Sequence, residues 1–85
     1  KLLDHPKIDI NAQDYDGNTP LHYADYYVTA ILLQRGADHT IKNNKGQTPL
    51  HCAAQKFAGE KIKNLLKYNV NINAQDNNGN TPLLL

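Results

Sequence analysis

At 85 residues the chain suffices for one small domain, and nine basic against eight acidic residues leave a formal net charge of only +1. That balance is too even to imply binding to nucleic acid or to an acidic membrane. The single cysteine excludes an internal disulfide and fits a reducing compartment, while apolar runs of three or four residues leave no secretory signal and no membrane span.

Lys1-Leu2-Leu3 opens inside an apolar motif with no methionine, and Leu83-Leu84-Leu85 stops inside another. The chain is therefore expected to be a piece of a longer protein. Its terminal leucines should belong to faces that further units cover, leaving the piece alone marginally stable. Asp14-Tyr15-Asp16-Gly17-Asn18-Thr19-Pro20-Leu21 is the first of three Asp/Asn-x-x-Gly-x-Thr-Pro-Leu boxes. In such a box Asp or Asn can bond the backbone two residues on and start a turn, and Gly supplies a positive φ. Thr can cap a helix, Pro suits the first helical position, and Leu begins a buried stripe. The second box, Asn43–Leu50, follows 29 residues later, and the third, Asp76–Leu83, 33 residues after that. Ile10–Leu21 recurs at Ile72–Leu83 with ten of twelve residues unchanged. A self-similar period near thirty residues marks stacked supersecondary units, which work through an extended surface.

Behind each box the apolar spacing predicts a pair of short helices. In the middle unit Leu50, Ala53, Ala54 and Phe57 predict the first, and Ile62, Leu65 and Leu66 the second, with Gly59 expected to break the first. The second should stop near Tyr68-Asn69, Asn serving where Gly36 serves in the preceding unit. Val70-Asn71-Ile72-Asn73 should then run extended into the next turn. The preceding unit has only Asp25-Tyr26-Tyr27 between Ala24 and Val28, four residues fewer than its neighbour, so about one helical turn is missing. Its first helix is expected to be at least one residue shorter than that of the middle unit, or to fuse with its second.

Thr-Pro-Leu-His at 19–22 and 48–51, Leu-Leu at 32–33 and 65–66, Gly36-Ala37-Asp38 and Ile72-Asn73-Ala74, all in phase, resemble the ankyrin repeat over essentially the whole chain. The resemblance implies an all-α solenoid of helix–turn–helix units joined by β-hairpin fingers. It divides the chain into the end of one repeat (1–13), a short repeat (14–42), a full repeat (43–75) and the start of a further one (76–85). Leu84 departs from the family's His, Asn69 from its Gly, and the four-residue gap from its length. The resemblance also implies a non-enzymatic module that binds another protein through its concave, finger-bearing face. No cofactor, metal, nucleic acid, membrane or small-molecule ligand is expected. A cytoplasmic location is expected, that of a host cell if the parent is a secreted effector. The alternative is a spacer that positions a catalytic or targeting domain elsewhere in the parent. Exposed aromatics on the concave side favour binding; a polar, featureless groove favours the spacer.

The finger and inner-helix positions expected to face a partner are Gln13, Tyr15, Asp16, Asn18, Tyr23, Lys42, Asn44, Lys45, Gln47, Gln55, Lys56, Gln75, Asn77, Asn78 and Asn80. Tyr15 and Tyr23 are the candidate anchors, because tyrosine offers large contact area with little entropy to lose. Tyr15 should be exposed; Tyr26 and Tyr27 either are exposed or fill the space of the missing turn. Charge runs from a net −4 over residues 4–38 to +5 over residues 42–67, read as solvated faces of adjacent repeats.

Four further features invite chemistry. His22 and His51 sit one unit apart, too far for a single zinc ion if their places are equivalent. The family implies instead a hydrogen bond from each imidazole to the neighbouring box. His5 and His39 read as surface or loop residues. Cys52 follows His51 directly, where helical side chains do not face each other, and reads as a half-buried small residue rather than a nucleophile. Leu3, Asp9, Ile10 and Asn11 have the spacing at which asparaginyl hydroxylases modify ankyrin repeats. Asn73 repeats Asn11 as ordinary repeat grammar, which favours a bond across the finger.

Overall fold

The computed structural model describes residues 9–82. They form an elongated body measuring 40 × 26 × 19 Å. Its four helices are α1 (Pro20–Tyr23), α2 (Tyr26–Gln34), α3 (Pro49–Gln55) and α4 (Gly59–Leu66). The expectations that rest on Leu2, Leu3, His5 and Leu83–Leu85 lie outside the described residues.

Each helical pair begins where its box says it should. Thr19 and Thr48 are extended N-caps, and Pro20 and Pro49 occupy the first helical positions. His22 and His51 then reach back: Nδ1 of each accepts from the backbone N–H of its Thr, at 3.0 and 3.1 Å. This is a capping box with imidazole in the usual place of a carboxylate. Leu21 and Leu50, each 1% exposed, start the buried stripe. α1 lies against α3 and α2 against α4, so first helices form one layer and second helices another, and α3 packs on α4. Between the layers sits one core of Leu21, Leu32, Leu33, Ala37, Leu50, Ala53, Leu65 and Val70.

The fingers are tight turns, and none forms a strand among the described residues. In the first, Asp14 N–H donates to Asn18 C=O and Gly17 N–H to Asp14 C=O, both at 2.9 Å. The pattern repeats at Asn43–Gln47 and Asp76–Asn80. Asp14 Oδ1 accepts from the N–H groups of Asp16 and Asn18, and Asn43 and Asp76 do the same in their boxes. One side chain thus satisfies two backbone donors in every finger.

Successive fingers are tied by an asparagine ladder. Asn44 N–H donates to Asp16 C=O, and Asn44 Nδ2 to Tyr15 C=O at 2.8 Å. One unit on, Asn77 N–H donates to Lys45 C=O, and Asn77 Nδ2 to Asn44 C=O at 3.0 Å. Gly46 is required twice over: its φ is +77°, and a Cβ there would come within 2.7 Å of Asn77 N.

The missing turn is where the sequence puts it. α1 has four residues and α3 seven, and α1 and α2 remain separate. The rest of the gap comes from the connector, which is Ala24-Asp25 in the short repeat and Lys56-Phe57-Ala58 in the full one. Ala24 is already extended (φ −63°, ψ 144°), and Asp25 caps α2 by accepting from Val28 N–H at 2.8 Å. Gly36 and Asn69 both adopt the left-handed conformation that ends a helix, with φ of 85° and 57°.

Three local expectations fail. Gly59 does not break the first helix of the full repeat; it opens α4, and the break is made by Phe57 at φ 54°. Phe57 therefore leaves the buried stripe and stands 83% exposed, and Leu66, at the end of α4, is exposed too. Asn71–Ala74 is not extended: Ala74 N–H donates to Asn71 C=O, and Asn71 Oδ1 accepts from Asn73 N–H, closing a turn.

Candidate protein-binding groove

The fingers and first helices enclose a groove of about 320 Å³. Seven of the fifteen candidate positions line it together: Asp16, Asn18, Tyr23, Asn44, Lys45, Gln47 and Lys56, along with His22, Asn43 and Cys52. A smaller depression, about 190 Å³, repeats one unit on, where Gln55 and Asn80 join His51 and Asp76. Asn77 and Asn78 stand exposed at the tip of the third finger. Lys42 and Gln75 fall elsewhere, in a hollow with His39, Val70 and Asn73, where Lys42 Nζ donates to Gln75 C=O at 3.0 Å. Gln13 Nε2 donates to Gly17 C=O at 2.8 Å and to Lys42 C=O at 3.2 Å. Gln13, Lys42, Asn44 and Asn77 thus all bond the backbone of their own or a neighbouring finger.

The tyrosines differ in how they are held. Tyr15 is fully exposed at a finger tip, 103% of its reference area. Tyr23 is fixed through its hydroxyl, which donates to Asp14 Oδ2 and accepts from Asn18 Nδ2 at 3.1 Å. That bond holds the Asp14 carboxyl below its ordinary pKa and raises the phenol of Tyr23. The ring face of Tyr23, not its hydroxyl, is what the groove offers. Tyr26 and Tyr27 are exposed, 54% and 67%, and do not fill the missing turn.

The two histidines are fully used by the fold. Nδ1 accepts from the Thr N–H in each case, so the ring proton sits on Nε2. Nε2 then donates across the repeat boundary, from His22 to Gln47 C=O and from His51 to Asn80 C=O, both at 2.9 Å. Burial lowers the pKa of His22, consistent with a neutral ring. Neither nitrogen is left for a metal. Burial likewise pushes the Cys52 thiol up, the wrong direction for a nucleophile. Asn11 Oδ1 accepts from Asp38 N–H of the next unit at 2.8 Å, so its amide is engaged across the fingers.

What reaches into the space of the missing turn is Lys61, which the charge pattern places among solvated faces. It is 5% exposed. His22 C=O, near the end of the shortened α1, has no following helical N–H to receive, and Lys61 Nζ of α4 supplies the donor at 3.0 Å. Asn64 Nδ2, one turn of α4 further, donates to Tyr26 C=O at 2.7 Å. Burial brings the Lys61 amine down to about 8. The signal in the sequence was the pairing of a four-residue gap in one repeat with a Lys just after Gly59-Glu60 in the next.

Comparison with known proteins agrees with the geometry. A family profile described as ankyrin repeats (many copies) matches residues 32–85, a second of the same description matches residues 1–24, and the single ankyrin repeat matches residues 16–44. A probable serine/threonine-protein kinase of Dictyostelium discoideum is 41% identical over 91% of this chain, which spans 10% of that protein. An ankyrin repeat protein of Rickettsia bellii is 40% identical over 82% of the chain, which spans 44% of it. NF-kappa-B inhibitor zeta of Bos taurus is 36% identical over 68% of the chain, which spans 9% of it.

Proposed function

The chain belongs to the ankyrin-repeat family, whose repeats are generally protein–protein interaction modules, and on that premise we propose that it binds a partner protein through the groove between its fingers and first helices. The carrying observation is that Tyr23, in the groove, and Tyr15, at the finger tip beside Gln13 and Asp14, present aromatic surface that the fold leaves exposed. Tyr15 stands free at the finger tip, and Tyr23 is held ring-outward by Asp14 and Asn18. An anchor ordered before binding loses less entropy on binding. Charge along the strip runs from Asp16 to Lys45 and Lys56, so the partner carries a basic patch beside an acidic one, and association slows as salt rises. That one relative is named as an inhibitor of NF-kappa-B supports a binding role rather than a spacer.

The test compares two double variants against a partner recovered by crosslinking to the protein in cells. Tyr15→Ala with Tyr23→Ala should weaken binding at least about thirtyfold without unfolding the array. Lys63→Ala with Lys67→Ala, on α4 and its C-cap, should leave affinity unchanged. The reverse pattern would reject the groove and leave the spacer reading.

A further inference from the structure

Where the short repeat lacks its turn, the surface opens into a cleft of about 380 Å³ between the two helical pairs. Exposed Tyr23 and Tyr26 form its rim, Ala24, Ala53 and Ala58 its lining, and buried Lys61 reaches it from α4. It is continuous with the groove, because Tyr23 and Lys56 line both.

Two carboxylates and two ammonium groups line the cleft, but they do not pair with one another. Asp25 is spent on Val28 N–H, at 2.8 Å, and Glu60 pairs with Lys63 at 3.6 Å. Lys61 has three ammonium protons and a single neutral acceptor, the His22 carbonyl. Lys56 lies close enough to Lys61 to disfavour its charge and Asp25 close enough to favour it, but among the described residues neither Asp25 nor Glu60 forms an ion pair with the Lys61 ammonium. A buried cation without a paired anion is costly, and a carboxylate brought to it recovers part of that cost. A bare inorganic anion would leave the alanine and tyrosine surface wet. The lining suits a carboxylate carried on an apolar body.

We propose that this cleft receives an acidic side chain of a protein lying in the groove, its carboxylate against Lys61 and Lys56 and an apolar neighbour packed between Tyr23 and Tyr26. This rests on the groove being a protein-binding surface, but its chemistry can be tested without the partner. Titration of the isotope-labelled protein with the blocked dipeptide acetyl-Phe-Glu-amide, followed by NMR, should shift resonances of Tyr23, Tyr26, Ala53 and Lys61. The isosteric acetyl-Phe-Gln-amide should bind about tenfold more weakly, because it lacks the charge-assisted bond. Lys61→Met, which keeps the stem and removes the charge, should make the two dipeptides equal. If that variant does not fold, Ala58→Leu fills the cleft with Lys61 in place and should abolish binding of both. Equal affinity of wild type for the two dipeptides, or shifts centred away from the cleft, overturns the proposal. The two readings fail separately: a partner weakened by Tyr15→Ala but indifferent to Lys61→Met keeps the groove and rejects the cleft. Dipeptide discrimination with a partner indifferent to Tyr15→Ala does the opposite.

Discussion

From Thr19 and from Thr48 the two repeats run alike for several residues: proline, a buried leucine, and a histidine that caps its own helix and bonds the next finger. They diverge just beyond Tyr23 and Cys52. Ala24 is already extended, whereas Ala53 continues the helix to Gln55, and the chain then turns through Phe57 in a left-handed conformation. The short repeat makes its connection with an aspartate cap and borrows a donor from its neighbour's Lys61. The full repeat is self-contained but carries a bulky residue in a conformation that disfavours it. A helix in such an array can therefore lose a turn, provided the next unit supplies what its last carbonyls lack.

The comparison breaks first at the fingers, which the two repeats share. Gly46→Ala sets a Cβ against Asn77 N at 2.7 Å and forces a positive φ on alanine. It should cost about 3 kcal/mol by denaturant unfolding, the strain adding to the clash. A loss below about 1 kcal/mol would mean that the fingers do not support one another. Lys61 sharpens the difference between the repeats through pH. Its amine loses its proton near pH 8 in the folded state and near its ordinary 10.5 when unfolded. Between those values the unfolded chain holds the extra proton, so stability rises with pH, and the penalty is fully present below pH 8. Relative to Lys61→Met, the wild type should gain roughly 1–2 kcal/mol from pH 8 to pH 10. A flat difference would place Lys61 in solvent.

Smaller effects test the equivalence of the two boxes. His22→Ala and His51→Ala should each cost about 1–2 kcal/mol, and added zinc should leave the melting temperature of the wild type unchanged. Because burial depresses the His22 pKa, its neutral form also contributes stability that is lost as pH falls below about 6.5, the unfolded value. Tight stoichiometric zinc binding would show that the rings are free. Smallest, and opposite in sign, Phe57→Gly should stabilise the protein by about 1 kcal/mol, since it relieves a left-handed φ at an exposed site. Destabilisation there would give the Phe57 ring a packing role that its exposure does not suggest.

Local rules wrote most of the fold into the sequence. Asp14, Asn43 and Asp76 make their turns within their own boxes, and the prolines start helices regardless of what packs on them. The four-residue gap placed the shortened helix for the same reason. The misses are residues whose roles depend on distant partners or on small differences in backbone preference. Lys61 reads as one more surface cation until the carbonyl of His22, 39 positions away, is brought to it. Gly59 reads as the breaker because glycine bears a positive φ best, yet the left-handed residue falls two places earlier, on Phe57. The groove was only partly legible: Asp16, Asn18, Tyr23 and Lys45 converge as the periodicity suggests, but nothing in the spacing tells that Lys42 turns away to hold Gln75.

The asparagine ladder has a consequence for how such a chain can change over generations. Asn44 bonds Tyr15 across 29 positions and Asn77 bonds Asn44 across 33, yet both pairs make the same contacts. The rung-to-rung alignment is thus indifferent to how much chain lies between rungs. Insertions and deletions confined to the helical layer leave the row of finger tips in step, while an extra residue inside a box would break the bonds that seat that finger on its neighbour. The chain can be edited for length on one side without rewriting the surface it displays on the other.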